Sequence, residues 1–368
     1  MGEKGWIKKV FPGGNTAKGF YSYYDHIIGS DAKRLFIIKG GPGVGKSSFM
    51  KEIGYEMVKL GYDVEFHQCS SDNDSLDGVV IPELKIALID GTAPHIVDPK
   101  YPGAVDEILN FGEFWNEDGI RKNRNEILKI TSKIGKLFER AYRYFAAAKS
   151  IRDDMEVIYE EALDVGKFYK AVRILKNEIF GTLNYAEKEG KVRHLFGSAL
   201  SPKGLVDDYA TIIGKVEKVY YIDSSYVKGV SNFMEEFIDE GIKKGLYMEA
   251  YHESLDEKNI ETLIIPKLNI AMTTSNKYAQ NYYKKIEFDS FMNKELLVEN
   301  EKNLKEDKMI VEQLLNAGIS NITKAKINHD ELEKFYISNM NFKAVDALKE
   351  KVINRILKYA REINYKNN

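Results

Sequence analysis

The chain has little cysteine, little proline, almost no net charge and no long apolar run. Cys69 is the only cysteine among 368 residues, which excludes an internal disulfide and a multi-cysteine metal site. The small number of prolines, 8, argues against a collagen-like or disordered chain. A formal net charge of -2 gives no overall basic field for nucleic acid or an anionic membrane. Because no run reaches the roughly 18 apolar residues of a membrane-spanning helix, we expect a globular cytoplasmic protein.

What the sequence does contain is a duplication. Residues 11–20, FPGGNTAKGF, align with residues 196–205, FGSALSPKGL, and both segments lead into Ile-Ile-Gly. Residues 81–87, IPELKIA, return as residues 265–271, IPKLNIA. A repeat of this length predicts two domains of like fold that form an intramolecular pseudo-dimer. We place them as follows: residues 1–185 and residues 186–368.

The first domain alternates strand-like and helix-like segments. Residues 35–38 form an apolar, β-rich run, which is typical of a strand buried in a parallel sheet. Apolar side chains three and four residues apart predict a helix over 47–60. Further strands are predicted over 63–66 and 85–89, the last one ending at Asp90. This alternation favours an α/β fold with a mostly parallel sheet, in which ligands bind at the carboxyl ends of the strands.

Each predicted sheet is followed by a long helical segment, at about 119–180 and 294–363. The first of these segments is rich in lysine and arginine. Interspersed charges of this kind usually form the solvated face of a helix. Nucleic acid and membranes are therefore not expected partners.

One segment fits the pattern G-x-x-x-x-G-K-[ST] between a predicted strand and a predicted helix: Gly40, Gly41, Pro42, Gly43, Val44, Gly45, Lys46 and Ser47, followed by Ser48. Glycines in such a loop let backbone N–H groups point at phosphate oxygens, and the following helix adds its positive N-terminal end. Lys46 would reach the β- and γ-phosphates, and the Ser47 hydroxyl would coordinate Mg²⁺.

These residues resemble the P-loop NTPase superfamily. The whole chain is similar to a group of bacterial ATPase-like proteins with two P-loop domains in tandem, on residues 11–16, 40–47 and 87–95. The resemblance implies two P-loop NTPase-like folds, binding of ATP or GTP, and phosphoryl chemistry. We found no N-K-x-D motif for reading guanine, so ATP is favoured.

Asp90 follows four apolar residues and is interpreted as the Walker B aspartate, which with Ser47 would hold the Mg²⁺. The alternative is an aspartate that caps a strand. Gly91 stands where many ATP-driven motors have a glutamate that polarises water. This difference argues against motor-type hydrolysis.

Weaker candidates come from comparing the two halves. Asp74 and His95 occur only in the first half, because their counterparts are Lys258 and Ala279. Asp74 lies after the second predicted strand, where it would act as a base or be an exposed loop acid. His95 would contact the γ-phosphate or be a surface histidine. Lys18, which recurs as Lys203, would flank the nucleotide or serve the shared fold.

The second half has lost the motif. Its equivalent loop, residues 224–231, reads SSYVKGVS, with Val230 in place of Lys46 and Thr274 in place of Asp90. We therefore expect a degenerate domain with a regulatory or structural role.

Three functions remain open. The first is a Mg-dependent ATPase with one site in the N-terminal domain, completed by a cation from the second domain. The second is a kinase that passes the γ-phosphoryl group to a small molecule or nucleotide, with Asp74 as base. The third is a nucleotide-gated interaction protein whose long helices contact a partner.

Overall fold

The computed structural model describes residues 4–94 and 96–367. In chain order its first half contains β1 (Ile7–Val10), β2 (Gly13–Thr16), β3 (Gly19–Ser22), β4 (Arg34–Lys39), α1 (Lys46–Lys59), β5 (Val64–Cys69), β6 (Asp72–Ile81), β7 (Ile86–Asp90), β8 (Asp106–Asn110), α2 (Glu117–Arg121), α3 (Arg124–Ala162) and α4 (Val165–Phe180).

The second half repeats this order of elements. It contains β9 (Lys191–Phe196), β10 (Ser198–Ser201), β11 (Gly204–Asp207), α5 (Tyr209–Ile213), β12 (Lys218–Asp223), α6 (Val227–Lys243), β13 (Tyr247–His252), β14 (Ile260–Ile265), β15 (Ile270–Thr273), β16 (Lys284–Glu287), α7 (Lys294–Glu299), α8 (Glu301–Ile337) and α9 (Phe342–Asn367).

The two main sheets have the same topology. Within the described residues, the first has the strand order β1-β5-β6-β7-β4-β8 and the second the order β9-β13-β14-β15-β12-β16. In each sheet one strand, β6 or β14, is antiparallel to both of its neighbours, and the other pairings are parallel. The predicted α/β class with mostly parallel sheets is confirmed, and so is the presence of long helices after each sheet.

The local prediction around the glycine-rich segment is confirmed. Strand β4 covers the predicted residues 35–38, and α1 covers the predicted helix except for Leu60. Strand β7 pairs in parallel with β4, with Ile38 opposite Asp90. The loop after β4 and the end of β7 therefore lie side by side at the carboxyl edge of the sheet.

Strand β6 was not predicted, because the sequence analysis placed only one strand, over residues 63–66, between the predicted helix over 47–60 and the Asp90 strand. It begins at Asp72 and pairs antiparallel with both β5 and β7. Its polar start, Asp-Asn-Asp-Ser, reads as a turn, and its apolar residues begin only at Leu76. Because β6 runs against its neighbours, its first residues lie at the same edge as the ends of β5 and β7.

The terminal helix of each half packs against the sheet of the other half. Helix α9 buries Val345, Val352 and Ile356 in the core that contains α1 and β4–β8. Helix α4 buries Phe168 and Leu175 in the core that contains α6 and β12–β15. Each hydrophobic core is thus completed by a helix from the other half of the chain.

Two backbone bridges hold the exchanged helices against the other half of the chain. Met340, between α8 and α9, forms a bridge with Trp115 of the first half, and Leu163, between α3 and α4, forms one with Met292 of the second half. The same geometry on both sides, with α3 and α8 packed against each other, gives the molecule a pseudo-twofold arrangement.

The two sheets also meet through their edge strands. Phe11 and Phe196 exchange backbone hydrogen bonds of 3.0 Å, and Arg193 on β9 donates hydrogen bonds of 2.9 and 2.7 Å to Glu65 on β5. Burial alone would raise the pKa of Glu65, but Arg193 and Lys8 hold that pKa well below its usual range.

In the described ranges, none of the helices has the apolar length to cross a bilayer.

Candidate functional site

The loop between β4 and α1 is shaped by its glycines. Gly43 has φ +67° and Gly45 φ +91°, in the left-handed region that side chains with a Cβ rarely adopt. Gly45 is the N-cap of α1, so the first N–H groups of the helix face the loop. The loop thus combines a curled backbone with the positive end of a helix, which is the arrangement that binds anions.

Lys46 and Asp90 lie together beside this loop. The Lys46 Nζ donates hydrogen bonds to the carbonyl oxygens of Gly40 at 2.7 Å and Gly41 at 2.9 Å. It lies 3.3 Å from the Asp90 Oδ2, and the exposed fractions of the two side chains are 11% and 17%. The other carboxylate oxygen of Asp90 accepts a 2.9 Å hydrogen bond from the Thr92 N–H. A lysine and an aspartate that the sequence separates by more than forty residues therefore form one partly buried ion pair.

The Ser47 hydroxyl joins α1 to β6. Its oxygen accepts a 2.9 Å hydrogen bond from the Leu76 N–H, and the equivalent Ser231 accepts a 3.0 Å bond from the Ile260 N–H in the second half. The bond occurs in both halves, so it belongs to the shared fold. A hydroxyl oxygen keeps a second lone pair, which leaves Ser47 able to bind a cation as well. Ser48 is exposed beside it.

The weaker candidates lie elsewhere. The Asp74 carboxylate is 82% exposed and forms a 3.1 Å ion pair with Lys203 of the second half. The Lys18 ammonium pairs with Glu257 of the second half, in an ion pair across the repeat interface. His95 lies outside the described residues.

The loop has neighbours that the sequence analysis missed. They come from the end of α8 and the start of α9, in the second half of the chain. A methyl group added at Gly43 would lie 2.9 Å from the Cβ of Glu333, and one added at Gly41 would lie 2.7 Å from the ring of Tyr336. A sequence pattern does not indicate which sheet a distant helix covers. The sequence therefore could not predict that Glu333 and Tyr336 lie beside the loop.

Cations of the second half also reach the first. Lys326 on α8 lies 3.3 Å from the Asp72 carboxylate at the start of β6, and the Asp72 Oδ2 accepts a 2.8 Å hydrogen bond from Ser75. Lys149 makes the equivalent 3.1 Å contact with Asp256. Because both halves contain this pair, it serves the packing of the long helices against the sheets.

The equivalent loop of the second half contains a carboxylate from the first. Glu156 on α3 accepts a 3.1 Å hydrogen bond from the Lys228 N–H in the first turn of α6. Burial raises the pKa of Glu156 to about 7, although the hydrogen bond from Lys228 opposes the shift. Lys228 itself forms a 2.7 Å ion pair with Glu160. The start of α6 is thus occupied by an internal acid, at the place where α1 presents its N-terminus to the glycine-rich loop.

A pocket of about 220 Å³ lies at the carboxyl ends of β12, β13 and β15, beside this second loop. Glu261 lines it, and burial raises the pKa of that carboxyl to about 7. Ser198 donates a 2.7 Å hydrogen bond to the Glu261 Oε1, to which Tyr209 also donates. Thr274 stands at the Asp90 position, so this pocket has neither the lysine nor the aspartate of the first site.

No family model, no curated protein and no solved structure matches the chain. Support for a function therefore comes from the residues and their geometry.

Proposed function

We propose that the chain binds a nucleoside triphosphate, most favourably ATP, with Mg²⁺ at residues 40–48 and hydrolyses it there. The observation that carries the proposal is the Lys46–Asp90 pair, 3.3 Å apart, with Lys46 in the first turn of α1 and Asp90 at the end of β7, beside a loop with left-handed glycines. The strand, loop and helix context is the one that the motif requires in order to bind phosphate.

The residues of the loop have separate tasks. The backbone N–H groups and the N-terminus of α1 stabilise the phosphate oxygens. When the nucleotide binds, the Lys46 ammonium group leaves the carbonyl oxygens of Gly40 and Gly41 and contacts the β- and γ-phosphates. The Ser47 hydroxyl and the Asp90 carboxylate are oxygen donors of the kind that Mg²⁺ prefers, so they fit the metal. When bound, the metal neutralises charge on the phosphates.

The P-loop NTPase resemblance extends this proposal to the fold. Strand β4 lies next to β7, and the second half repeats the topology of the first. We therefore propose a P-loop NTPase-like fold for both halves, with hydrolysis only in the first. Val230 and Thr274 in place of Lys46 and Asp90 support a structural or regulatory role for the second half, because its loop lacks both the cation for phosphate and the carboxylate for Mg²⁺.

The alternatives have less support. A kinase would need Asp74 to meet an acceptor hydroxyl, but the Asp74 side chain pairs with Lys203. A nucleotide-gated interaction protein would need a partner surface on the long helices, and α3 and α8 are packed against each other along one face. Hydrolysis at the first loop remains the function that the contacts favour.

The test is ATP binding and phosphate release by the full chain with Mg²⁺. We expect Lys46→Ala to lower kcat/KM roughly 10²- to 10³-fold, because it removes a charge that stabilises the transition state. The matched control is Lys228→Ala, in the equivalent loop of the second half. Equal activity of Lys46→Ala and the wild type would refute the proposal, as would loss of activity in Lys228→Ala alone.

A further inference from the structure

A cleft beside the glycine-rich loop is formed by both halves of the chain. It has a volume of about 470 Å³ and lies between residues 113–116, which follow β8, and residues 338–341, which join α8 to α9. Its Trp115 ring lies 6.2 Å from the ring of Tyr336. The Tyr336 ring in turn contacts Gly41 of the loop. Trp115 in the cleft is therefore connected to the loop through one intervening ring, that of Tyr336.

An exposed aromatic ring lies between the cleft and the first turn of α1. Phe342 follows directly on residue 341 and begins α9. Its ring lies 3.3 Å from the position of a Cβ at Gly45, yet the residue is 40% exposed. A phenylalanine that is left partly in water beside an anion-binding loop offers a flat apolar face to whatever is attached to the anion.

The second half provides an internal comparison, because its backbone has the same geometry. The Asn341 N–H donates a 2.8 Å hydrogen bond to the Phe114 carbonyl, and the Asp164 N–H donates a 2.7 Å bond to the Phe291 carbonyl. This correspondence pairs Phe342 with Val165.

The side chains at the matched positions differ. Beside the degenerate loop, Val165 replaces Phe342, Met292 replaces Trp115, and Ala162 replaces Asn339. The aromatic rings and the amide thus occur in the half that has Lys46 and are missing from the half that lacks it. Common packing requirements do not explain the difference, since the backbone is held in the same way on both sides.

We propose that the nucleoside part of the nucleotide extends from the loop toward the cleft, with the aromatic base stacked on Phe342, which lies against Gly45 and directly follows the residues that line the cleft. This inference rests on the proposed function, since it assigns the part of the ligand that extends from the phosphates. The volume lies in the usual range for small-molecule sites. Asn116 and Asn341 border the cleft; their Oδ1 atoms accept hydrogen bonds from the backbone N–H groups of Gly119 and Ala344, and their Nδ2 groups are donors for the edge of a base. The base is therefore recognised by residues of both halves, and the stacking ring comes from the second half.

The test compares two ligands that differ in the base. Affinities of the full-length protein for Mg-ATP and for inorganic triphosphate with Mg²⁺ are measured by calorimetry. We expect Phe342→Ala to weaken ATP binding by roughly 5- to 150-fold, the range of base–aromatic stacking, and to leave triphosphate binding unchanged. Phe342→Tyr keeps the ring and should retain most of the affinity. Val165→Ala, at the matched exposed position, should alter neither affinity.

A second measurement does not depend on the folding of a Phe342 variant. Trp115 lines the cleft and Trp6 does not, so in a Trp6→Phe protein ATP should change the tryptophan fluorescence more than triphosphate does. Unchanged ATP affinity in Phe342→Ala, or equal weakening for both ligands, would overturn the base site. Lys46→Ala should weaken both ligands. If the wild type binds neither ligand, the proposed function fails, and the base site fails with it.

Discussion

At the scale of single residues, the buried carboxyl group of Glu261 makes stability depend on pH. Burial raises the pKa of Glu261 to about 7 in the folded protein, from the ordinary glutamate value of 4.5. A raised carboxyl pKa means that the folded state keeps a proton that the unfolded state has lost. Its contribution to stability is complete below pH 4.5 and is lost as the pH rises through 7.

We predict that Glu261→Gln removes this contribution. Glutamine keeps the Oε1 that accepts from Ser198 and Tyr209, but it carries no charge at high pH. The free energy of unfolding should match the wild type near pH 4 and exceed it by up to about 3 kcal/mol at pH 8. Urea unfolding at the two pH values measures the difference. The exposed Glu299→Gln serves as control, and a gain at pH 8 no larger than in that control would contradict the argument.

At the scale of elements, each exchanged helix stabilises the sheet of the other half of the chain. Ile356 on α9 is fully buried in the first core, and Ile179 on α4 is buried in the second. Changing a buried isoleucine to alanine lowers the free energy of unfolding by about 2–5 kcal/mol, because it removes apolar contacts and leaves a cavity. The loss of stability should therefore appear in the half whose sheet the helix covers, and not in the half of the sequence that contains the helix.

Ile356→Ala and Ile179→Ala form a matched pair of variants that tests which sheet each helix stabilises. We expect Ile356→Ala to reduce amide hydrogen-exchange protection in α1, and Ile179→Ala to reduce it in α6. The readout is exchange followed by mass spectrometry of peptides from residues 46–59 and 227–243. Protection lost in α6 on changing Ile356 would show that α9 covers the other sheet.

At the scale of the whole molecule, the exchange means that neither half is complete without the other. Cutting the chain at the predicted boundary, after residue 185, leaves the first sheet without α9 and leaves α4 with an uncovered apolar face. We predict that the fragments 1–185 and 186–368 fold poorly alone and form a stable complex when mixed. Size-exclusion chromatography and circular dichroism of the separate and mixed fragments test this. A stable monomeric 1–185 fragment would contradict the prediction.

The sequence predicted features whose signals are local. Strand β4, helix α1 and the Asp90 strand were recognisable because their apolar residues and glycines follow one another closely. Strand β6 was missed because its first residues are polar. The packing of α9 against α1 was not predictable, because an amphipathic pattern reports that a helix has an apolar face and not which surface covers it. For the same reason Glu333, Tyr336 and Phe342 were not recognised as neighbours of the glycine-rich loop.

The exchange of helices also orders events during synthesis. The first sheet is complete in sequence when β8 ends at Asn110, but its core is closed only by α9, whose last buried core residue is Ala360. About 250 residues separate the two, so a ribosome adding roughly 5–20 residues per second needs about 12–50 s to supply the missing helix. Throughout that interval the face of α1 that α9 will cover is exposed on the nascent chain. The first half to be made is thus among the last parts to finish folding, and it is the part that a chaperone would need to shield.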